Sequence, residues 1–314
     1  MRVNDLGAIF HRDERAAQRL AGFSAAGASI RSFMPDAHRE FFAGLGYLFV
    51  GVVDEGGWPV ATVVSGPPGF VASPDATTLS VAAAPGADDP ARAGWRLGAP
   101  IGLLGLDFST RRRNRANGVV AGFDCGAARL AIEQSFGNCA KYIQRREARP
   151  TPRRAGRAEP LAALDGAARD LLARADAAFV ASRSRDESGP ASGADVSHRG
   201  GPPGFLRLDG DTLAVPDYPG NRYMNTLGNL LGEPRASLLA IDFDNGDVLQ
   251  LQGRAEIDWR PDAARALPGA ERLWRLRVER AWRRPAALPI AWTFLDAAPT
   301  TQRIAEIGLA AEPR

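Results

Sequence analysis

GPPGF occurs at residues 66–70 and again at residues 201–205, where DVSHRG (195–200) precedes it. The same offset of 135 positions carries LLGLDF (103–108) onto LLAIDF (238–243). A solenoid would need more than two repeats. Two copies that share one register over so long a stretch therefore predict a duplicated domain.

Each copy consists of short runs of Val, Ile, Leu, Phe and Thr that Gly, Pro and Asp interrupt, as in YLFVGVV (47–53). Such runs predict β-strands. In the second copy, GDVLQLQGRAEI (246–257) alternates apolar and polar residues, as a strand with one solvated face does. DNGD (244–247) predicts a hairpin turn before it. Many short strands between turns predict a small barrel in each copy.

Helices are expected beside the strands, so the predicted fold class is mainly β with flanking helices (α+β). The predicted helices cover residues 12–22, 35–45, 160–175 and 262–281. The last of these would place Trp274, Val278 and Trp282 on one stripe. Pro285 and Pro289 would then end it.

A Pro- and Arg-rich stretch, RREARPTPRRAGRAEP (145–160), separates the two copies and predicts a linker. We therefore expect a first domain with N-terminal helices at 1–147, a linker at 148–160 and a second domain with a C-terminal helix at 161–314.

The composition is that of a globular protein, with 45% hydrophobic residues and a formal net charge of only +3. So small a surplus does not indicate nucleic-acid binding. Cys125 and Cys139 have no usual metal-ligand spacing, and three scattered histidines predict no metal site. The start of the chain lacks an apolar signal-peptide core, and the strand-like runs are too short to span a membrane. We expect a cytoplasmic protein without a membrane partner.

The two copies differ in charge at equivalent positions. Ser197-His198-Arg199 aligns with Thr62-Val63-Val64, and Gly220-Asn221-Arg222 aligns with Gly86-Ala87-Asp88. The planar fork of arginine suits phosphate, and Gly200 and Gly201 would let a ligand approach the backbone. These differences predict an anion site on the second copy. The alternative is a surface strand with solvated arginines.

Six motifs spread over the chain are typical of one known family. They are FHRDERAAQRLAG (10–22), VSGPPGF (64–70), TRRRNRANG (110–118), EQSFGNCAKYIQ (133–144), DVSHRGGPPGF (195–205) and PGNRYMNTLGNLLGEPRASLLAIDF (219–243). By these motifs the chain resembles the pyridoxamine 5'-phosphate oxidase-like FMN-binding split-barrel family, in particular its two-copy flavin-nucleotide-binding group. The resemblance implies tandem split β-barrels of Greek-key topology, FMN between barrels, and dimers. It implies no single reaction.

The same resemblance implies a cofactor site on the second copy. Ser197, His198 and Arg199 would meet the flavin and its phosphate side, with the turn residues Gly200, Pro203 and Gly204 beside them. Asn221, Arg222 and Asn225 would complete the phosphate pocket, Val215 and Pro216 would lie under the ring, and Gln250 is a candidate on a neighbouring strand. The Arg and His that bind substrate phosphate near the C-terminus of vitamin-B6 oxidases are not found, which argues against that reaction.

Two further motifs carry candidates. In EQSFGNCAKYIQ we expect a helix to begin near Cys139. An anion-binding helix start would then be surrounded by the polar residues Gln134, Ser135, Asn138, Lys141 and Tyr142. Lys141 is the only lysine of the chain, although a residual surface lysine is the alternative.

In RRRNR (111–115), Arg111, Arg113 and Arg115 would share one face of a strand. That face would be solvated or form inter-barrel salt bridges, contact the flavin phosphate or an anionic substrate, or bind nucleic acid.

These observations favour an FMN-dependent oxidoreductase that acts on a small molecule or takes electrons from a nicotinamide. His198 would either donate a proton or hold its strand. The alternatives are a flavin-binding module without turnover, or the same scaffold with haem or another cofactor. We expect a homodimer, although the two copies could instead pair within one chain.

Overall fold

The computed structural model describes residues 9–24, 28–185, 189–265 and 267–311. Before the first sheet the structure describes helix α1 at Arg12–Leu20 and helix α2 at Asp36–Ala43. The strands of the first sheet are β1 at Tyr47–Val53, β2 at Pro59–Ser65, β3 at Val71–Asp75, β4 at Thr78–Val81, β5 at Pro100–Asp107, β6 at Arg112–Asp124 and β7 at Ala127–Asn138. A 3-10 helix at Pro90–Gly94 lies between β4 and β5.

The rest of the chain repeats this arrangement with additions. Its elements are β8 at Arg145–Pro150, β9 at Glu159–Leu161, α3 at Gly166–Arg174, β10 at Ala177–Arg183, β11 at Ala194–Gly200, β12 at Arg207–Asp209, β13 at Thr212–Asp217, α4 at Asn225–Gly232, β14 at Arg235–Ile241, β15 at Val248–Asp258, α5 at Pro261–Ala264, β16 at Arg272–Arg284, β17 at Ile290–Asp296 and α6 at Pro299–Ala311.

The two main sheets have the same antiparallel topology. The first runs β2-β1-β5-β6-β7-β4-β3, and the second runs β11-β10-β14-β15-β16-β13-β12. Each contains a bulge at the same place, before Gly118 on β6 and before Gly253 on β15. A Cβ there would lie 1.8 Å from the Ala131 carbonyl oxygen and 2.1 Å from that of Arg277, which explains both glycines. The predicted fold of tandem split β-barrels with flanking helices is confirmed.

Each barrel has its own apolar core, and a third cluster joins them. In that third cluster the rings of Phe49 and Phe179 stack with centroids 3.5 Å apart. Strand β2 packs on β10, β14 and β15, while β11 packs on the equivalent strands β1, β5 and β6. The two barrels are therefore related by an approximate two-fold axis, and every place at their interface occurs twice.

Two predicted helices are wrong. Within 262–281 only Pro261–Ala264 forms a short helix, and β16 begins at Arg272. The spacing of four between Trp274 and Val278 is even, so a strand also places them on one face. The helix expected near Cys139 is absent from this described part of the chain, because β7 continues to Asn138 and a turn follows.

The predicted linker region contains two paired strands. Strand β8 pairs with β17, and β9 pairs with β16. The helix expected at 160–175 begins only at Gly166, where the Asp165 carboxylate accepts a hydrogen bond from the Ala168 amide. Among the described residues, no helix is long and apolar enough to cross a membrane.

Candidate functional site

A cleft between the barrels contains residues from both of them. Strand β11, the end of β13 and the start of α4 form one wall, and β6 with the turn after β7 forms the other. The enclosed part has a volume of about 110 Å³ and opens to solvent. Its lining includes five arginines but only two carboxylates. The cleft therefore carries an excess of positive charge where the sequence predicts an anion site.

A buried ion pair across the interface forms the floor of the cleft. The Arg115 guanidinium lies 2.8 Å from the Asp195 carboxylate and also donates to the Ser197 hydroxyl. Asn117 and Asn229 donate to the same carboxylate at 2.6 and 2.9 Å. With Asp195 so surrounded, its charge is compensated inside the protein. Arg115 is thereby fixed beside the cleft.

His198 is a neutral imidazole at the centre of this site. Arg113 donates to its Nδ1 at 3.2 Å, so the ring proton lies on Nε2. Burial lowers the pKa of His198 well below its usual value, and the positive charges of Arg113 and Arg199 lower it further. Among the described residues Nε2 has no hydrogen-bond partner, although it is buried. The ring is therefore suited to donate a hydrogen bond to a ligand without becoming charged.

Arg199 lies near a carboxylate on the opposite side of His198. It donates to the His198 carbonyl oxygen at 3.2 Å, and the nearby Asp217 opposes the lowering of its pKa by burial. Arg272 also holds Asp217, at 2.5 Å, and reaches Glu271 at 3.1 Å. Asp217 is thus in direct contact with Arg272, whereas Arg199 acts on it only through space and, in the described part of the chain, keeps its Nε free for a ligand.

Several buried polar atoms of the lining residues have no partner in the described part of the chain. Buried donors are normally satisfied, so such a set indicates a ligand that accepts several hydrogen bonds. The atoms are Arg115 Nε, Arg199 Nε, His198 Nε2, Asn138 Nδ2 and Thr226 Oγ1. This donor set fits a phosphate or another oxygen-rich anion.

The loop before α4 completes the wall with a strained backbone. Arg222 and Met224 have φ angles of 64° and 62°, in the left-handed region. Asn221 donates to Asn138 of the first barrel at 3.0 Å, and Asn225 donates to the buried Glu14 carboxyl at 2.5 Å. The helix begins at Asn225, and this brings its free amide groups to the cleft.

Tyr142 and Tyr218 pack against each other at the mouth of the cleft, with ring centroids 5.1 Å apart. Burial raises the pKa of each hydroxyl to about 12. The Tyr142 carbonyl oxygen lies where a Cβ of Gly200 would be, at 2.0 Å, so only glycine fits at that position.

The structure brings most of the predicted residues to the cleft. Those that line it are Ser197, His198, Arg199, Gly200, Pro216, Asn221, Arg222, Asn225 and Asn138. Lys141 lies at the rim, exposed, with its ammonium 3.5 Å from the Pro219 carbonyl oxygen. Pro203 and Gly204 belong to the outer turn, and Val215 is buried in the second core.

Three other candidates lie elsewhere. Gln134 donates to the Ile9 carbonyl oxygen at 2.9 Å, and Ser135 contacts His38 at 2.9 Å. Gln250 occupies the equivalent place on the opposite side of the interface, where it donates to the Ala61 carbonyl oxygen at 2.8 Å.

Sequence reasoning missed several lining residues. Arg272 and Glu271 were hidden inside the wrongly predicted helix, and Asp217 and Tyr218 carried no motif signal. The sequence allows three interpretations of Arg113 and Arg115. The structure places both residues on the inter-barrel face of β6. The signal in the sequence is that the two arginines are two positions apart, which places them on the same face of a strand.

Comparisons with known proteins match the second barrel to one family. Residues 164–286 match the family model described as pyridoxamine 5'-phosphate oxidase. No curated protein matches the sequence. Among solved structures, HupZ from Group A Streptococcus is similar at 16% identity and a TM-score of 0.28, covering 36% of this chain and 88% of that one.

Two further solved structures show a similar extent of match. A FAD-binding protein from Mesorhizobium loti has 17% identity and a TM-score of 0.29, covering 40% of this chain and 96% of its own. HutZ, the heme storage protein from Vibrio cholerae, has 13% identity and a TM-score of 0.26, covering 37% and 91%.

Proposed function

We propose that this chain, whose second barrel belongs to the pyridoxamine 5'-phosphate oxidase-like split-barrel family, binds FMN in the inter-barrel cleft and is an FMN-dependent oxidoreductase. The observation that carries the proposal is the set of buried, unpartnered donors in a cleft lined by five arginines and two carboxylates. A phosphate ester supplies the charge and the acceptors that this set lacks.

Arg199, Arg222 and the start of α4 at Asn225 are the groups that would hold the phosphate. Two guanidinium groups give paired, charge-assisted hydrogen bonds, and the free amides of a helix start add positive potential. The enclosed volume of about 110 Å³ is smaller than the roughly 300–1,000 Å³ of whole-ligand pockets. The cleft would therefore enclose one end of the cofactor, and the rest would extend toward the solvent-open side.

The flavin ring would supply the hydride and electron transfer. Arg113, which unlike Arg115 has no ion pair in the described part of the chain, would place positive charge beside it, which favours added negative charge on a ligand at this site. His198 would donate its Nε2 proton in a hydrogen bond while staying neutral. Hydride transfer from a nicotinamide needs no residue that abstracts a proton, and none is assigned here.

The test is FMN titration of the purified apoprotein, with Arg199→Ala and a matched control. Loss of a charge-assisted contact costs about 1.5–3 kcal/mol, so we expect affinity to fall roughly 10- to 150-fold. Arg277 is an exposed arginine on β16 outside the cleft lining, and Arg277→Ala should change affinity less than about twofold.

The possible results separate the candidate functions. Failure of the wild-type protein to bind FMN would refute the proposal, and a haem absorption band instead would favour the haem alternative. Where FMN binds, anaerobic mixing with NADH or NADPH is expected to bleach it. Binding without reduction by either would favour a module without turnover over an enzyme that takes electrons from a nicotinamide.

A further inference from the structure

The approximate two-fold axis creates a second place equivalent to the cleft, between β2 of the first barrel and β15 and β16 of the second. Thr62 is the fourth residue of β2, as Ser197 is of β11. Arg113 pairs with Asn138 in the first barrel, and Val248 pairs with Arg284 at the same place in the second. Gln250, two residues after Val248, therefore stands where the cleft has Arg115.

One carboxylate lies in this second place. Asp89 is 2% exposed and lies 2.7 Å from the Arg284 guanidinium. The Thr62 hydroxyl donates to it at 2.5 Å, the Gln250 amide at 3.1 Å and the Ala91 amide at 2.9 Å. Donors from both barrels therefore converge on this one group.

Asp89 also caps a helix at the position where the other half has α4. It precedes the 3-10 helix Pro90–Gly94, which connects β4 to β5 as α4 connects β13 to β14. At the cleft, the same connection presents a helix start to the open cavity. In the second place the helix start is already occupied by a side chain of its own strand connection.

We infer that Asp89 is a built-in anion that occupies the second inter-barrel site, so that one chain takes one cofactor and not two. The number of cofactors rests on the proposed function, whereas the role of Asp89 as a substitute for an external anion does not. Arg284, Thr62 and Gln250 are the donors that an anion at this site would otherwise satisfy.

If Asp89 takes the place of an anion, the Asp89→Ala variant should bind a free anion at this site. In Asp89→Ala the buried Arg284 loses its counter-charge, and a small anion in the space of the removed carboxylate would find donors. Loss of one partner of a buried pair predicts a fall in melting temperature of roughly 5–8 °C for a chain of this size. Inorganic phosphate should restore part of that loss.

The experiment compares wild type, Asp89→Ala and Asp89→Ala/Arg284→Met by thermal unfolding, each with and without millimolar inorganic phosphate. We expect phosphate to raise the melting temperature of Asp89→Ala by more than that of wild type. The double variant should lack this additional gain, because its anion donor is gone. Phosphate bound in the open cleft is common to all three and cancels.

The outcomes decide the inference whether or not flavin binds. If Asp89→Ala is recovered folded only when phosphate is present, that counts as rescue. A phosphate response no larger than that of wild type, or failure of phosphate to restore folding, would overturn it. FMN titration of wild type should saturate at one per chain, and two per chain would also overturn it. Absence of FMN binding would reject the proposed function alone.

Discussion

Strands β2 and β11 occupy the same edge of their two sheets, but one is apolar and the other is not. Strand β2 reads PVATVVS and β11 reads ADVSHRG, and both are almost entirely buried against the opposite barrel. Where β2 buries Val60 and Val63, β11 buries Asp195 and His198. The fold tolerates this exchange because Arg115 and Asn117 reach across to the Asp195 carboxylate, and Asn229 of its own barrel also donates to it.

The comparison shows how the two sides of a duplicated scaffold differ in the way their buried polar groups are satisfied. The β2 side contains its own anion, Asp89, whose donors are in contact with it. The β11 side retains buried donors that no described group satisfies. The proposed ligand site thus lies where the internal compensation of charge is incomplete, while strand order and core are kept.

The largest expected effect on stability comes from the Arg115–Asp195 ion pair that forms the floor of the cleft. Arg115→Met leaves Asp195 buried without its cation, so the free energy of unfolding should fall by about 3–5 kcal/mol. Gln250→Met, at the equivalent place, removes a neutral side chain that donates to the Ala61 carbonyl oxygen and to the Asp89 carboxylate, and should cost about 1–3 kcal/mol. Urea unfolding at pH 7 measures both. Equal losses would contradict the difference in electrostatics between the two sides.

An intermediate effect is expected from acid. The pKa of His198 is lowered by folding, so below a pH of about 6.5 the unfolded chain takes up a proton that the folded chain resists. Stability is therefore lost as the pH falls, by at most about 2 kcal/mol between pH 6.5 and pH 5 from this residue. His198→Asn keeps an acceptor for Arg113 without titrating.

Melting temperatures at pH 7 and pH 5 measure this difference. We expect the acid-induced decrease to be smaller in His198→Asn than in wild type, although His11 and His38, whose pKa values burial also lowers, will retain part of it. If the acid-induced decrease in melting temperature is as large in His198→Asn as in wild type, the β11 side does not hold a neutral imidazole.

The smallest effect is expected at the rim of the cleft. Lys141 is exposed and makes one long contact, at 3.5 Å, with the Pro219 carbonyl oxygen. Lys141→Ala should change the free energy of unfolding by less than about 0.5 kcal/mol and FMN affinity by less than about twofold. A tenfold loss of affinity, measured by fluorescence titration, would extend the anion site of the β11 side to the turn after β7.

The sequence was informative where the two copies could be compared. The GPPGF register predicted two barrels, and the change from Thr62-Val63-Val64 to Ser197-His198-Arg199 indicated the polar side of the interface. The helix at 262–281 was wrong because a four-residue spacing satisfies both helix and strand. Contacts such as Arg115 with Asp195 join residues of different barrels, and local pattern carries no information about them.

The sequence predicts only some of the residues that line the candidate site. Residues next to a motif, such as Arg199 and Asn221, could be selected, whereas Arg272 and Tyr218 reach the cleft through the pairing of β13 with β16. Gln250 was selected for the cleft but lies at its two-fold equivalent. Sequence position alone does not tell which of two symmetric places a residue of β15 will face.

The connection between the barrels, which runs through β8 and β9, has a consequence for mass action. Both walls of the cleft are on one polypeptide, so the cleft forms by an intramolecular step with an effective concentration in roughly the millimolar range. A cleft built from two separate chains would dissociate on dilution. Its ligand occupancy would then depend on the protein concentration as well as on the ligand concentration. Here cofactor occupancy should depend on the concentration of cofactor alone, even when the protein is scarce.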